Sequence, residues 1–125
     1  MQYIATPNAP AAIGPYAQAV EHNGIVYLSG QIAIDPATNL FISGGIEKQM
    51  EQVLKNISAV LVASGCDKST VLSCVVYLTS MDDFPLMNEY YEHFFTPHTP
   101  ARVTVGVAAL PKDALVEISC VAAVK

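Results

Sequence analysis

The stretch Pro100–Val124, PARVTVGVAALPKDALVEISCVAAV, constrains this chain more than any other. Two β-branched runs flank Leu110-Pro111-Lys112-Asp113, a pattern that predicts a β-hairpin. Arg102, the sole arginine of the chain, lies near the start of the first run, and Glu117 is the only charge within the second. Charges set into apolar strands are costly unless they are paired or used. If the turn places Thr104 opposite Glu117, then Arg102, Thr104 and Glu117 project from one sheet face, whereas a one-residue slip turns Glu117 to the other. Two readings follow. Arg102 and Glu117 are an ion pair that holds the hairpin, or Arg102 is a fork for a carboxylate and Glu117 a general base.

The rest of the chain reads in order as strands and helices. Gln2–Ala5 reads as a short edge strand, and Tyr16–His22 and Ile25–Ile32 as strands about Asn23-Gly24, a type I′ hairpin signal. Gly30 within a strand pattern predicts a bulge or the close approach of another group. Ile46, Met50, Val53, Leu54, Ile57, Val60 and Leu61 make one helical stripe, capped by Ser43 or Gly44 and closed by Gly65. Val71–Leu78 is apolar on both faces, so it belongs inside a sheet rather than at its edge. A second helix follows, with Asp82 or Asp83 as cap and Pro85 in its first turn. Its buried face is Phe84, Met87, Tyr91, Phe94 and Phe95, with Asn88 on the flank, while His93 and His98 read as surface residues. The result is one α+β domain over residues 1–125, β-β-β-α-β-α-β-β, with a mostly antiparallel sheet and two helices on one face.

Composition excludes several functions. Hydrophobic residues make up 52% of the chain and charged residues 14%, against a usual charged share of about 25%. So few charges on a small domain predict a surface buried against further copies of the chain. The net charge is −5 and the six basic residues are scattered, which disfavours nucleic acid as a partner. No apolar run reaches the ~18 residues of a membrane span, and no leader pattern opens the chain. Cys66, Cys74 and Cys120 lack CxxC or metal spacing and read as reduced, buried thiols of a cytoplasmic protein. Phosphate-loop, zinc-protease and serine-hydrolase motifs are absent.

Further stretches carry a resemblance: Asn8-Ala9-Pro10 through Ile13-Gly14-Pro15-Tyr16, Ser29-Gly30-Gln31-Ile32, and Asn88 through Phe95. With Pro100-Ala101-Arg102, Leu110–Asp113 and Val116-Glu117-Ile118, they make the chain resemble the RidA/YjgF family of enamine/imine deaminases over nearly its full length. The resemblance implies a chorismate-mutase-like fold, a homotrimer with clefts between subunits, and no cofactor or metal. It implies hydrolysis of 2-iminopropanoate and 2-iminobutanoate to 2-keto acids and ammonia. Arg102 would grip the substrate carboxylate and Glu117 would orient water, with Tyr16, Ser29, Gly30, Asn88 and Thr104 in the binding cleft. Thr104 stands where many bacterial members carry cysteine. Val103 replaces a residue that is commonly small, which bears on pocket size. The alternatives are a non-catalytic, regulatory trimer that binds small carboxylates, and an endoribonuclease or translation inhibitor, which the acidic balance disfavours.

Overall fold

The predicted central stripe forms α1 (Ile46–Ala63) in a computed structural model that describes Met1–Lys125, and all seven of its apolar residues are buried. Gly65 follows at φ +77, a left-handed backbone that favours glycine. The expected start differs: Gly45 is the N-cap and no side chain caps it. Gln49 instead reaches back from the first turn, its Nε2 donating to the Gly44 carbonyl at 3.2 Å. Its Oε1 accepts from the Leu115 N–H at 2.8 Å.

In α2 (Phe84–Phe95), Met87, Tyr91 and Phe95 are buried, while Phe84 and Phe94 are half-buried. Asp83 occupies the cap position, but neither it nor Asp82 caps the helix through its side chain. Ser80 does the capping one element earlier, where it accepts from the Asp82 N–H at the short helical turn Met81–Asp83. His93 is exposed as expected. His98 is not a free surface residue, because it is half-buried with Nε2 2.6 Å from the Val71 carbonyl oxygen.

The strands in chain order are β1 (Gln2–Ile4), β2 (Ala19–His22), β3 (Ile25–Gln31), β4 (Ile34–Asp35), β5 (Leu40–Phe41), β6 (Val71–Leu78), β7 (Ala101–Gly106) and β8 (Val116–Ala123). Six form one sheet in the order β1-β2-β3-β8-β6-β7, and β4 and β5 form a separate ribbon. Asn23 and Gly24 turn β2 into β3 with φ 53 and 80, as their type I′ signal predicts.

The hairpin expected from Pro100–Val124 does not form, because β6 lies between its two arms. β7 pairs parallel with β6, Arg102 opposite Cys74, and β8 pairs antiparallel on the other side, Glu117 opposite Tyr77. Two physical causes combine. The crossover through α2 delivers β7 parallel to β6, and β6, apolar on both faces, takes the interior position between two neighbours. The connection Val107–Leu115, longer than the 2–5 residues of a hairpin loop, then passes the end of β6. There Val107 N–H donates to the Leu78 carbonyl and Thr79 N–H to that of Leu115.

Both helices lie on one side of the sheet, over the core of Val26, Leu28, Cys74, Val76, Leu78, Val116, Ile118, Cys120 and Ala122. All three cysteines are buried and free. The uncovered side carries Tyr3, Tyr27 and Val103, which are 71%, 53% and 55% exposed. Glu117 is its one acidic strand residue. No helix is long and apolar enough to cross a membrane.

Candidate functional site

Strand alternation separates the two charges. Arg102 and Thr104 pair with Cys74 and Val76, whose side chains face the helices, while Glu117 pairs with Tyr77 on the uncovered side. The expectation that Arg102, Thr104 and Glu117 share a face is therefore overturned. Two strand spacings of about 4.8 Å and three residues at about 3.3 Å put the Cα atoms of Arg102 and Glu117 on the order of 14 Å apart. An Arg102–Glu117 ion pair is likewise ruled out, the one salt bridge of the chain being Lys125–Asp67 at 3.0 Å. What the sequence places together becomes two half-sites.

The first half-site is built by β7 and α2. Arg102 lines a pocket with Asn88, Tyr91, Phe95 and His98. Its Cζ lies 4.7 Å from the Tyr91 ring centroid and 5.6 Å from that of Phe84. Thr104 stands two residues along the strand from Arg102, its hydroxyl buried without a hydrogen-bond partner. Asn88 is half-buried in the pocket wall, so it is neither a plain surface residue nor a cap. An unpaired guanidinium in a concave wall with a carboxamide beside it suits a small carboxylate, which arginine takes through two parallel N–H bonds.

The second half-site surrounds Glu117 and is lined by Tyr16, Gln18, Gly30, Ile32 and Pro111. Tyr16 comes from the loop before β2, is about half exposed, and its hydroxyl accepts from the Ile13 N–H at 3.5 Å. That loop hangs on Gln18, whose buried amide accepts from Thr6 N–H at 2.7 Å and donates to the Pro10 carbonyl at 2.8 Å. Ser29 braces the same loop: its N–H donates to the Gln18 carbonyl and its hydroxyl to that of Ala17. Both Ser29 donors are thus spent within the chain, which leaves Gly30 as the part of Ser29-Gly30 that meets the site.

Gly30 sits where the β3–β8 register shifts, between Leu28 and Gln31, and the Glu117 side chain packs against it. Both meanings read from this glycine hold: it is a bulge and a place of close approach. A methyl at Gly30 would overlap the Glu117 carboxylate, a flexible side-chain end that swings away while the backbone stays. Gly30→Ala should therefore fold normally in a thermal melt. It should lose about 10²-fold in any turnover that depends on Glu117, as expected for a displacement of ~1 Å. Burial raises the Glu117 carboxyl above the ordinary glutamate range. A carboxylate so shifted is better suited to take a proton near neutrality.

Sequence reasoning missed Tyr91 and Phe84, which it assigned to core packing, and Gln18, which it left as one position of a strand. The available signal was helical spacing: Phe84, Asn88 and Tyr91 fall on one face of α2, the face that meets Arg102.

The molecule is thus an α+β domain that presents an arginine half-site beside its helices and a carboxylate half-site on the other side of the sheet. The chain belongs to the Endoribonuclease L-PSP family, whose model matches residues 6–124. It is 46% identical over 121 residues to Reactive Intermediate Deaminase A, chloroplastic, of Arabidopsis thaliana, covering 97% of this chain and 65% of that protein. It is 44% identical over 119 residues to the 2-iminobutanoate/2-iminopropanoate deaminase of Mus musculus, covering 95% and 88%. Among solved structures, E. coli TdcF with bound serine matches with a TM-score of 0.94 and 38% identity over 98% of each chain. The RidA/YjgF resemblance read from the motifs is borne out, and the deaminase names of these relatives support a RidA-type enzymatic function.

Proposed function

We propose that the protein hydrolyses 2-imino acids such as 2-iminopropanoate and 2-iminobutanoate to 2-keto acids and ammonia, at clefts formed between copies of the chain. The observation that carries this reading is the separation of Arg102 and Glu117 onto opposite sides of one sheet. The arginine half-site also carries His98, whose Nε2 is engaged with the Val71 carbonyl, and the exposed Glu92. The carboxyl raised by burial is Glu117 in the other half-site, so in this reading one copy supplies Arg102 and a neighbour Glu117. Copies related by rotation, each offering its arginine half to the next, close into a ring. A homotrimer of this chorismate-mutase-like fold, with the uncovered sheet faces turned inward, would bury Tyr3, Tyr27 and Val103. The net charge of −5 and scattered basic residues favour a small acid over RNA as ligand. Buried free thiols suit the reducing cytoplasm, where we place it.

In the cleft Arg102 binds the carboxylate through its N–H fork, with Asn88 and Thr104 beside it and Tyr16 closing the other side. Glu117 accepts a proton from water as the water oxygen bonds to the iminium carbon, giving a carbinolamine. Glu117 then passes its proton to the amine nitrogen and takes the hydroxyl proton as the C–N bond breaks and the C=O bond forms, so that ammonia leaves a 2-keto acid and the last proton goes to the ammonia as ammonium. The chemistry needs no cofactor or metal. Imines of this kind hydrolyse unaided, so one fork and one positioned base suffice, well short of the ~8–23 kcal/mol of most enzymes.

Subunit complementation tests both halves together. Arg102→Ala and Glu117→Gln chains are each expected to be inactive when imines, generated in situ by an amino-acid oxidase, are followed by semicarbazide trapping. Refolded together in equal amounts, they should regain about a quarter of wild-type activity, since random assembly gives one intact cleft in four. A mixture no better than its parents would place the two residues in separate functions. Active parent chains would remove them from the reaction.

A further inference from the structure

Arg102 is a cation with no carboxylate in salt-bridge reach. Aromatic rings face it instead, at 4.7 Å for Tyr91 and 5.6 Å for Phe84, both inside the ~6 Å over which a ring face attracts a guanidinium. Tyr91 is itself fixed: it is 7% exposed and stacks at a tilt on Phe95, with centroids 4.7 Å apart. Its hydroxyl is buried without a hydrogen-bond partner. Burial and the neighbouring Cys74 thiol raise this hydroxyl above its ordinary range, and it is the ring that faces Arg102.

We infer that Tyr91, assisted by Phe84, is the positioning residue of Arg102, holding the guanidinium by its face and leaving its N–H fork free for a ligand carboxylate. A carboxylate partner would order the arginine equally well, but it would occupy the donors that the ligand needs. A ring engages the π-face and leaves the in-plane N–H groups open. Ordering the long side chain in advance also reduces the rotamer freedom lost when ligand binds. This inference rests on the proposed role of Arg102 as carboxylate anchor, while its first test does not.

Because Arg102 is the sole arginine, the full-length protein labelled with 15N should give one arginine Nε–H signal. That signal is expected to be shifted upfield by the rings in wild type and in Tyr91→Phe, and to return towards the free-arginine position in Tyr91→Leu. Calorimetry with 2-ketobutyrate should show Kd raised about tenfold in Tyr91→Leu and within about twofold of wild type in Tyr91→Phe. In the imine-trapping assay Tyr91→Leu should raise KM and leave kcat nearly unchanged, a split that general loosening of the core would not produce. Phe84→Leu, at a half-buried position, should raise Kd about threefold and serves if Tyr91→Leu fails to fold. An unshifted Arg102 signal in wild type, or Tyr91→Phe as damaging as Tyr91→Leu, would overturn the inference. A ring-shifted signal in a wild type that hydrolyses no imine keeps the aromatic platform and removes the deaminase reading.

Discussion

Replacing Arg102 with alanine is expected to lower kcat/KM for 2-iminobutanoate by about 10²–10⁴-fold, because two charge-assisted bonds of ~1.5–3 kcal/mol each are lost. The protein should still fold. Arg102 has no salt bridge to lose, and its contacts with Tyr91 and Phe84 are those of a half-buried chain at the edge strand. Arg102→Lys should recover only part of the loss, since lysine keeps the charge but not the planar fork. The imine-trapping assay beside a thermal melt decides the matter. Near-normal turnover in Arg102→Ala, or an unfolded variant, would each contradict the assignment.

Glu117→Gln is expected to cut kcat by about 10²–10⁴-fold while Kd for 2-ketobutyrate stays within about threefold, the pattern of a lost general base with binding intact. The pH profile gives a second, independent reading. Burial raises the Glu117 carboxyl, and the base works only when ionised. Activity should therefore fall on the acid side at a pH above that of an ordinary glutamate, and the glutamine variant should lack this limb. Stability runs the opposite way. A carboxyl that holds its proton more tightly in the folded chain favours folding most fully below its unfolded pKa, and that contribution is lost as pH rises through the raised folded pKa. Glu117→Gln should flatten this dependence in melts taken across the same range. If the variant turns over normally, Glu117 is not the base; if the wild type binds 2-ketobutyrate but hydrolyses no imine, the cleft is a receptor site and the protein a carboxylate-binding regulator.

Much of the fold was legible because its signals are local. The α1 stripe, the Asn23-Gly24 turn, Gly65 after the helix and the doubly apolar β6 each depend on residues within a few positions of one another, and the structure places them accordingly. Helix starts were less legible: Ser43, Asp82 and Asp83 are sound capping residues by type, but α1 begins at Gly45 with no side-chain cap, and Ser80 caps the short turn before α2. Composition marked Arg102 and Glu117 as unusual charges inside apolar strands, and it marked Gly30 as a place where something approaches.

Exceptional residues and most helix and strand segments are therefore legible locally, since periodicity and the cost of a buried charge are written residue by residue. How those residues meet depends on the tertiary fold. The insertion of β6 between β7 and β8 depends on a crossover through α2 and on pairing between strands far apart in the chain, neither of which a local pattern encodes. That one insertion turns Arg102 and Glu117 to opposite sides of the sheet. It brings Tyr91 beneath the arginine, while the pairing of β8 with β3 on its other side sets Glu117 against Gly30.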